Sequence, residues 1–160
     1  MGNVRRIIGI DPGLVHTGWG VIEAVGNERR YIASGVVLPP KNAELPVRLT
    51  FIFNELGKII DLWNPSEAAI EITFVNKNPT TTLLLGHARS AAILATSTRE
   101  IPLSEYEPTK IKKAIATAGH ADKGQVERMV RILLPNAQPK TSDESDALAI
   151  ALAHSNHNRY

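Results

Sequence analysis

The chain contains no cysteine. That excludes disulfides, a thiolate metal site and a cysteine nucleophile, and it fits a reducing compartment such as the cytoplasm. Nor is there an apolar run near the ~20 residues that a membrane-spanning helix needs. The opening Met1-Gly2-Asn3-Val4-Arg5-Arg6 leads into a short apolar run ending at Asp11, which predicts no signal peptide. A cytoplasmic chain with no membrane attachment is expected. Repeats, linkers and low-complexity stretches are also missing from the 160 residues. That length suits one domain over 1–160, able to bury roughly two-thirds of the surface its unfolded form exposes. An excess of either charge is lacking as well. Eighteen basic and 16 acidic residues leave a net +2, and that total alone points to no partner.

The distribution of charge says more. Between Lys110 and Lys140 stand Lys110, Lys112, Lys113, Lys123, Arg128, Arg131 and Lys140, against only Asp122 and Glu127. This stretch carries a net +5 and leaves the rest of the chain at −3. Such segregation suits either a polyanion-binding face or a solvated helical face.

Hydrophobic periodicity supplies the elements. Arg6–Ile10, Thr17–Glu23 and Tyr31–Leu38 read as strands, with a turn at Gly26-Asn27 and an antiparallel meander overall. Leu45–Trp63 has a helical stripe of Leu49, Ile52, Phe53, Leu56, Ile59 and Ile60, stopped by Asn64-Pro65. Ala68–Ile72 is a fourth strand, Thr80–Thr98 a second helix and Ile101–Tyr106 a fifth strand. Helices follow over Thr109–Ala118, Asp122–Leu134 and Asp143–His154. This pattern predicts an α/β fold with a five-stranded mixed sheet flanked by helices.

The chemistry lies in the carboxylates, since only five aspartates exist. Asp11 ends the first strand, where open α/β sheets bind ligands, although Asp11-Pro12-Gly13 also suits a plain turn. Glu71 interrupts an apolar strand. In a central strand its charge requires a cation or a donor, and in a half-exposed strand it simply faces outward. Asp143 and Asp146 are three apart on one helix face, able to share a metal. Equally, Asp143 could be a helix N-cap. Together the four suit hard cations. Two Mg²⁺ ions about 3.5–4 Å apart can clamp the attacking and leaving oxygens of a phosphodiester.

Five segments, in order, resemble one family. Gly9-Ile10-Asp11-Pro12-Gly13 with Thr17-Gly18-Trp19-Gly20-Val21-Ile22 is similar to the first hairpin of the RuvC family of Holliday-junction resolvases. Ala69-Ile70-Glu71 with Phe74 and Lys77-Asn78 resembles its second acidic motif. Leu85-Gly86-His87-Ala88-Arg89 resembles the start of its next helix. Gly119-His120-Ala121-Asp122-Lys123, with Gln125-Val126 and Met129-Val130, resembles its basic segment. Asp143–Ala151 resembles its closing acidic helix. The resemblance implies a ribonuclease-H-like fold, a homodimer, and Mg²⁺-dependent resolution of four-way DNA junctions by paired symmetric nicks. Two Mg²⁺ per site are implied, with Mn²⁺ able to substitute, and 5′-phosphate and 3′-hydroxyl ends. Metal ligation falls on Asp11, Glu71, Asp143 and Asp146, a position where the family also uses His in the case of Asp143. DNA contacts fall on Lys112 and Lys123, and a junction-side aromatic on Phe74. A branch-migration complex of the RuvA/RuvB type is the implied partner.

The alternative is an actin-like ATPase or phosphotransferase half-domain using Asp11-Pro12-Gly13 as a phosphate loop, a fold that usually needs two related halves. Lys112 and Lys123 are expected near helix starts, where a cation opposes the helix dipole. Phe74 suits either the core or base stacking. The five histidines show no metal spacing. His154 and His157 read as tail residues, and His120 is left outside the site. Thr80–Thr98 is apolar nearly all round. Its Ala88, Ala91, Ala92 and Ala95 suit either a core helix or a close dimer contact.

Overall fold

The computed structural model describes residues 2–72, 77–116 and 122–157, with Lys123 described by its backbone alone. The element order is β1 (Arg5–Asp11), β2 (Thr17–Val25), β3 (Glu28–Val37), α1 (Leu45–Trp63), β4 (Glu67–Glu71) and α2 (Pro79–Ser97). There follow β5 (Leu103–Tyr106), α3 (Pro108–Ile115), α4 (Lys123–Leu133) and α5 (Ser142–Ser155). One sheet forms in the order β3-β2-β1-β4-β5. β1, β2 and β3 are antiparallel neighbours, whereas β4 and β5 continue parallel to β1.

Local chemistry sets several ends. Gly26 turns the β2–β3 hairpin with φ +55°, a conformation open to glycine at little steric cost. The hairpin strands run further toward that turn than their apolar alternation suggests, because ladder pairing continues through Val25↔Glu28 whatever the side chains. Asn78 caps α2 by accepting from the Thr80 and Thr81 amides, and Pro79 occupies the first turn, where it needs no N–H partner. Asn64 ends α1 in the left-handed conformation.

Helices cover both sheet faces. Ile8, Ile10, Val21, Ala68 and Ile70 pack toward α1 and α2, against Ile52, Leu56, Ile60 and the alanines of α2. Ile7, Ile22, Ala69 and Tyr106 pack toward α3, α4 and α5. This two-sided burial is why β1 and β4 read as continuous apolar runs. It also settles the α2 alanines. Ala88, Ala91, Ala92 and Ala95 are buried within the subunit, as the core-helix reading expects, while Leu83, Leu84 and Leu94 are the exposed large apolar residues of that helix.

α5 lies directly on β1 and β2, and glycines make that approach possible. A Cβ on Gly9 would stand 2.1 Å from the Ala147 carbonyl oxygen, and one on Gly18 2.2 Å from that of Asp143. No side chain fits at either position, so the N-terminal turn of α5 rests on the end of the β1–β2 hairpin.

Candidate active site

Strand alternation decides how the first two acids face. Gly9 and Ala69 are partners in the parallel β1–β4 ladder, and both lie on the α5 side of the sheet. Asp11 and Glu71 are each two residues further on. The period of two returns them to that same side, on strands ~4.8 Å apart. Asp11 also pairs with Gly18 on β2, the residue on which Asp143 is seated. Glu71 and the α5 acids thus flank Asp11.

The N-cap of α5 is Thr141. Its hydroxyl accepts from the Glu144 amide at 3.2 Å, and the Glu144 carboxylate accepts from the Thr141 amide at 3.1 Å. Asp143 is therefore not the cap. It sits in the first turn, where negative charge suits the dipole, with Oδ2 3.8 Å from His16 Nδ1. Glu144 does not compete for the site. It is buried and also accepts from the Lys140 amide at 2.9 Å and the Ser34 hydroxyl at 3.0 Å.

Glu71 is half-buried beside Asp146 and Lys112. Burial first, and the charge of Asp146 second, push its carboxyl above the ordinary value, while Lys112 pulls it back. Lys112 lies in the last turn of α3 rather than at a helix start. There its charge suits the helix dipole as well as the acids. Lys123 is the first residue of α4, as its place in the sequence suggests. Asp122 caps that helix, accepting from the Gln125 amide at 2.8 Å, and the Gln125 side chain accepts from the Asp122 amide at 3.2 Å. Phe74 and His120 lie outside the described residues.

Two groups escaped the sequence reading. His16, beside Asp143, sits on a loop with no periodic signal. His154 is not a tail residue, because it is 1% exposed. It belongs to a buried network that runs from Arg5 and Glu67, at the starts of β1 and β4, to Tyr106, the β5 ladder partner of Glu71. Arg5 donates to Glu67 through Nε and Nη2 at 2.7 and 2.8 Å. His154 Nε2 lies 2.6 Å from Glu67 Oε2, and the Tyr106 hydroxyl lies 2.7 Å from His154 Nδ1. Chiefly through the Arg5 hydrogen bonds, the Glu67 carboxyl is held down to about 2. An acid opening an apolar strand, with a histidine on an all-apolar helix, was the available signal.

The donor chemistry fits a hard divalent cation. The donors are carboxylate oxygens, and Glu71 faces a like charge that a cation would relieve. Among the described residues no three acidic or imidazole groups close tightly enough to hold an ion by themselves. A cation that keeps several waters and takes substrate oxygens suits such a site.

The mixed sheet, with acids at the ends of adjacent inner strands and on the helix laid across them, defines the class: a ribonuclease-H-like protein. The model of the crossover junction endodeoxyribonuclease RuvC family matches residues 7–154. The protein of that description from Xanthobacter autotrophicus is 47% identical over 155 residues, covering 97% of this chain and 92% of its own. One from a Bradyrhizobium species is 51% identical over 152 residues, covering 95% and 87%. Thermus thermophilus RuvC, solved in complex with a Holliday junction substrate, superposes with a TM-score of 0.88 at 31% identity, covering 94% of this chain and 93% of that one. The yeast mitochondrial Holliday junction resolvase Ydc2 shares the fold, with a TM-score of 0.70 at 12% identity, covering 94% and 79%. This chain belongs to the RuvC family of crossover junction endodeoxyribonucleases. The actin-like half-domain reading is left without support.

Proposed function

We propose that this chain, working as one nuclease domain over 1–160 in the cytoplasm, resolves Holliday junctions during recombination and repair. It does so by paired symmetric hydrolysis of two strands, leaving 5′-phosphate and 3′-hydroxyl ends. One observation carries the site assignment. Glu71 ends an inner strand beside Asp11 and on the α5 side of the sheet, where burial first and the charge of Asp146 second disfavour its ionised form, and a bound cation would offset both. Asp11, Glu71, Asp143 and Asp146 would hold two Mg²⁺ ions, and Mn²⁺ would substitute. When bound, the cations supply an activated water and offset charge on the phosphate. The chain's own residues do the rest. The four acids orient the cations, Lys112 limits the repulsion at Glu71 and meets a phosphate, Lys123 meets another, and Phe74 stacks at the crossover.

Two symmetric nicks suit a two-fold homodimer. Its surface would be the exposed side of α1 and α2, where Leu49, Phe53, His87 and Leu94 line a shallow apolar groove. A branch-migration complex of the RuvA/RuvB type would deliver the junction. The deciding experiment incubates the protein with a synthetic four-way junction, with and without Mg²⁺, on a denaturing gel. Paired nicks that need Mg²⁺ and vanish in Asp11→Asn are expected. Full cleavage by Asp11→Asn would remove the site assignment.

A further inference from the structure

The segment between β1 and β2 follows one proposed ligand and approaches another. Asp11 precedes it, and His16 within it lies 3.8 Å from Asp143. It is tightly made. The Gly13 amide donates to Thr17 Oγ1 at 3.1 Å, and that hydroxyl donates back to the Gly13 carbonyl at 2.8 Å. These bonds hold the loop to itself. The tie to the helical layer comes from α1, where Arg48 Nη2 donates to the Leu14 carbonyl at 2.6 Å.

Arg48 is an unusual residue for that task. It is partly buried, forms no ion pair among the described residues, and its Nε is buried with no hydrogen-bond partner there. Desolvating a guanidinium for one carbonyl is unfavourable unless something else is gained. Leu14 stands three residues after Asp11 and two before His16, so its position governs both ends of the loop. A charge-assisted bond to the carbonyl, rather than an apolar contact, sets distance and direction at that point.

We infer that Arg48 is a positioning residue. It holds the β1–β2 loop so that Asp11 and Asp143 are presented at the separation the cations require. The inference rests on the assignment of those two acids as metal ligands. Displacement of a reacting group by about 1 Å can cost up to a hundredfold in rate, so a loosened loop is expected to lower kcat rather than weaken DNA binding.

The test uses full-length protein and a synthetic junction, assayed well below each variant's melting temperature. Arg48→Met is expected to lower kcat about ten- to a hundredfold, with KM and junction affinity within about twofold. The Mg²⁺ concentration for half-maximal rate should rise, and the increase in Tm produced by Mg²⁺ should shrink. Arg48→Lys, keeping a cation that can reach Leu14, should recover much of the rate. A kcat and Mg²⁺ half-saturation within twofold of wild type would overturn the inference. So would equal lowering of Tm with and without Mg²⁺ at unchanged kcat, the mark of a merely structural residue. Weaker binding with a flatter salt slope and intact kcat would make Arg48 a phosphate contact instead. If Arg48→Met does not fold, Arg48→Gln, too short to reach Leu14, decides on the same readings. Asp11→Asn runs alongside. Should it cleave, the ligand assignment fails, whereas an inactive Asp11→Asn beside a fully active Arg48→Met fails the positioning role alone.

Discussion

The proposed role of Glu71 sets function against stability at a single residue. Its raised pKa means that the folded chain holds the proton more tightly than the unfolded chain does. The ionised form therefore costs stability, and the cost grows as pH rises from 4.5 through the raised value. Glu71→Gln removes that cost together with a proposed cation ligand. It is expected to abolish cleavage while raising the metal-free Tm by about 2–4 °C, the scale of a 1 kcal/mol gain in a chain of this size. A Tm below wild type at pH 7 would show that the carboxylate is satisfied by the protein itself. Lys112, on the opposing charge, is expected to act in binding as well. Lys112→Ala should flatten the slope of log K against log salt by about 0.9, the loss of one phosphate contact on duplex DNA. Filter binding from 50 to 200 mM salt measures this, and an unchanged slope would confine Lys112 to balancing Glu71.

At the scale of elements, the site depends on how closely α5 approaches the sheet. Gly18→Ala places a methyl group where the Asp143 carbonyl stands. Overpacking of this kind costs typically about 1–3 kcal/mol. Cleavage should fall further than stability does, because the turn that is lifted carries Asp143 and Asp146. Comparison of kcat with the urea midpoint separates the two effects. The opposite ends of β1 and β4 are held by Arg5 and Glu67, which His154 of α5 links to Tyr106, the β5 partner of Glu71. The folded Glu67 carboxyl lies at about 2 against 4.5 when unfolded, so its contribution is fully present above 4.5 and is lost as pH falls toward 2. That contribution is of order 2 kcal/mol. Glu67→Gln should flatten the acid limb of the stability curve in that window. Distance from the acids should leave its cleavage rate near wild type, and a large loss of kcat would tie the network to the site.

For the whole molecule, the question is what covers the outer side of α1 and α2. Leu83 and Leu94 are 63% and 53% exposed, and Leu84 lies beside them. Leu94→Asp or Leu84→Asp is expected to yield a folded monomer by light scattering. Such a monomer should nick single strands and lose the paired cuts. Ala91→Arg, by contrast, should unfold the chain, because Ala91 is buried within the subunit. A wild-type protein that remains monomeric at tens of micromolar would end the dimer proposal.

Much of this was legible in the chain itself. Wherever a helix buries one stripe or a strand is buried on both faces, local periodicity records the burial, so α1 was readable to the residue and β1, β4 and α5 nearly so. The four acids were visible because a carboxylate at the end of an apolar strand, or two on one helix turn, has few structural uses. Proximity was not visible. That Glu71 faces Asp146, that Asp143 sits on Gly18, and that Lys112 ends its helix beside the acids follow from register and from α5 lying on glycines, both long-range. The α2 alanines were left between two readings, and His154 and Arg48 were misjudged or passed over, for the same reason. Side-chain type is local information, whereas what covers an apolar face, a buried imidazole or a guanidinium is decided by elements distant along the chain.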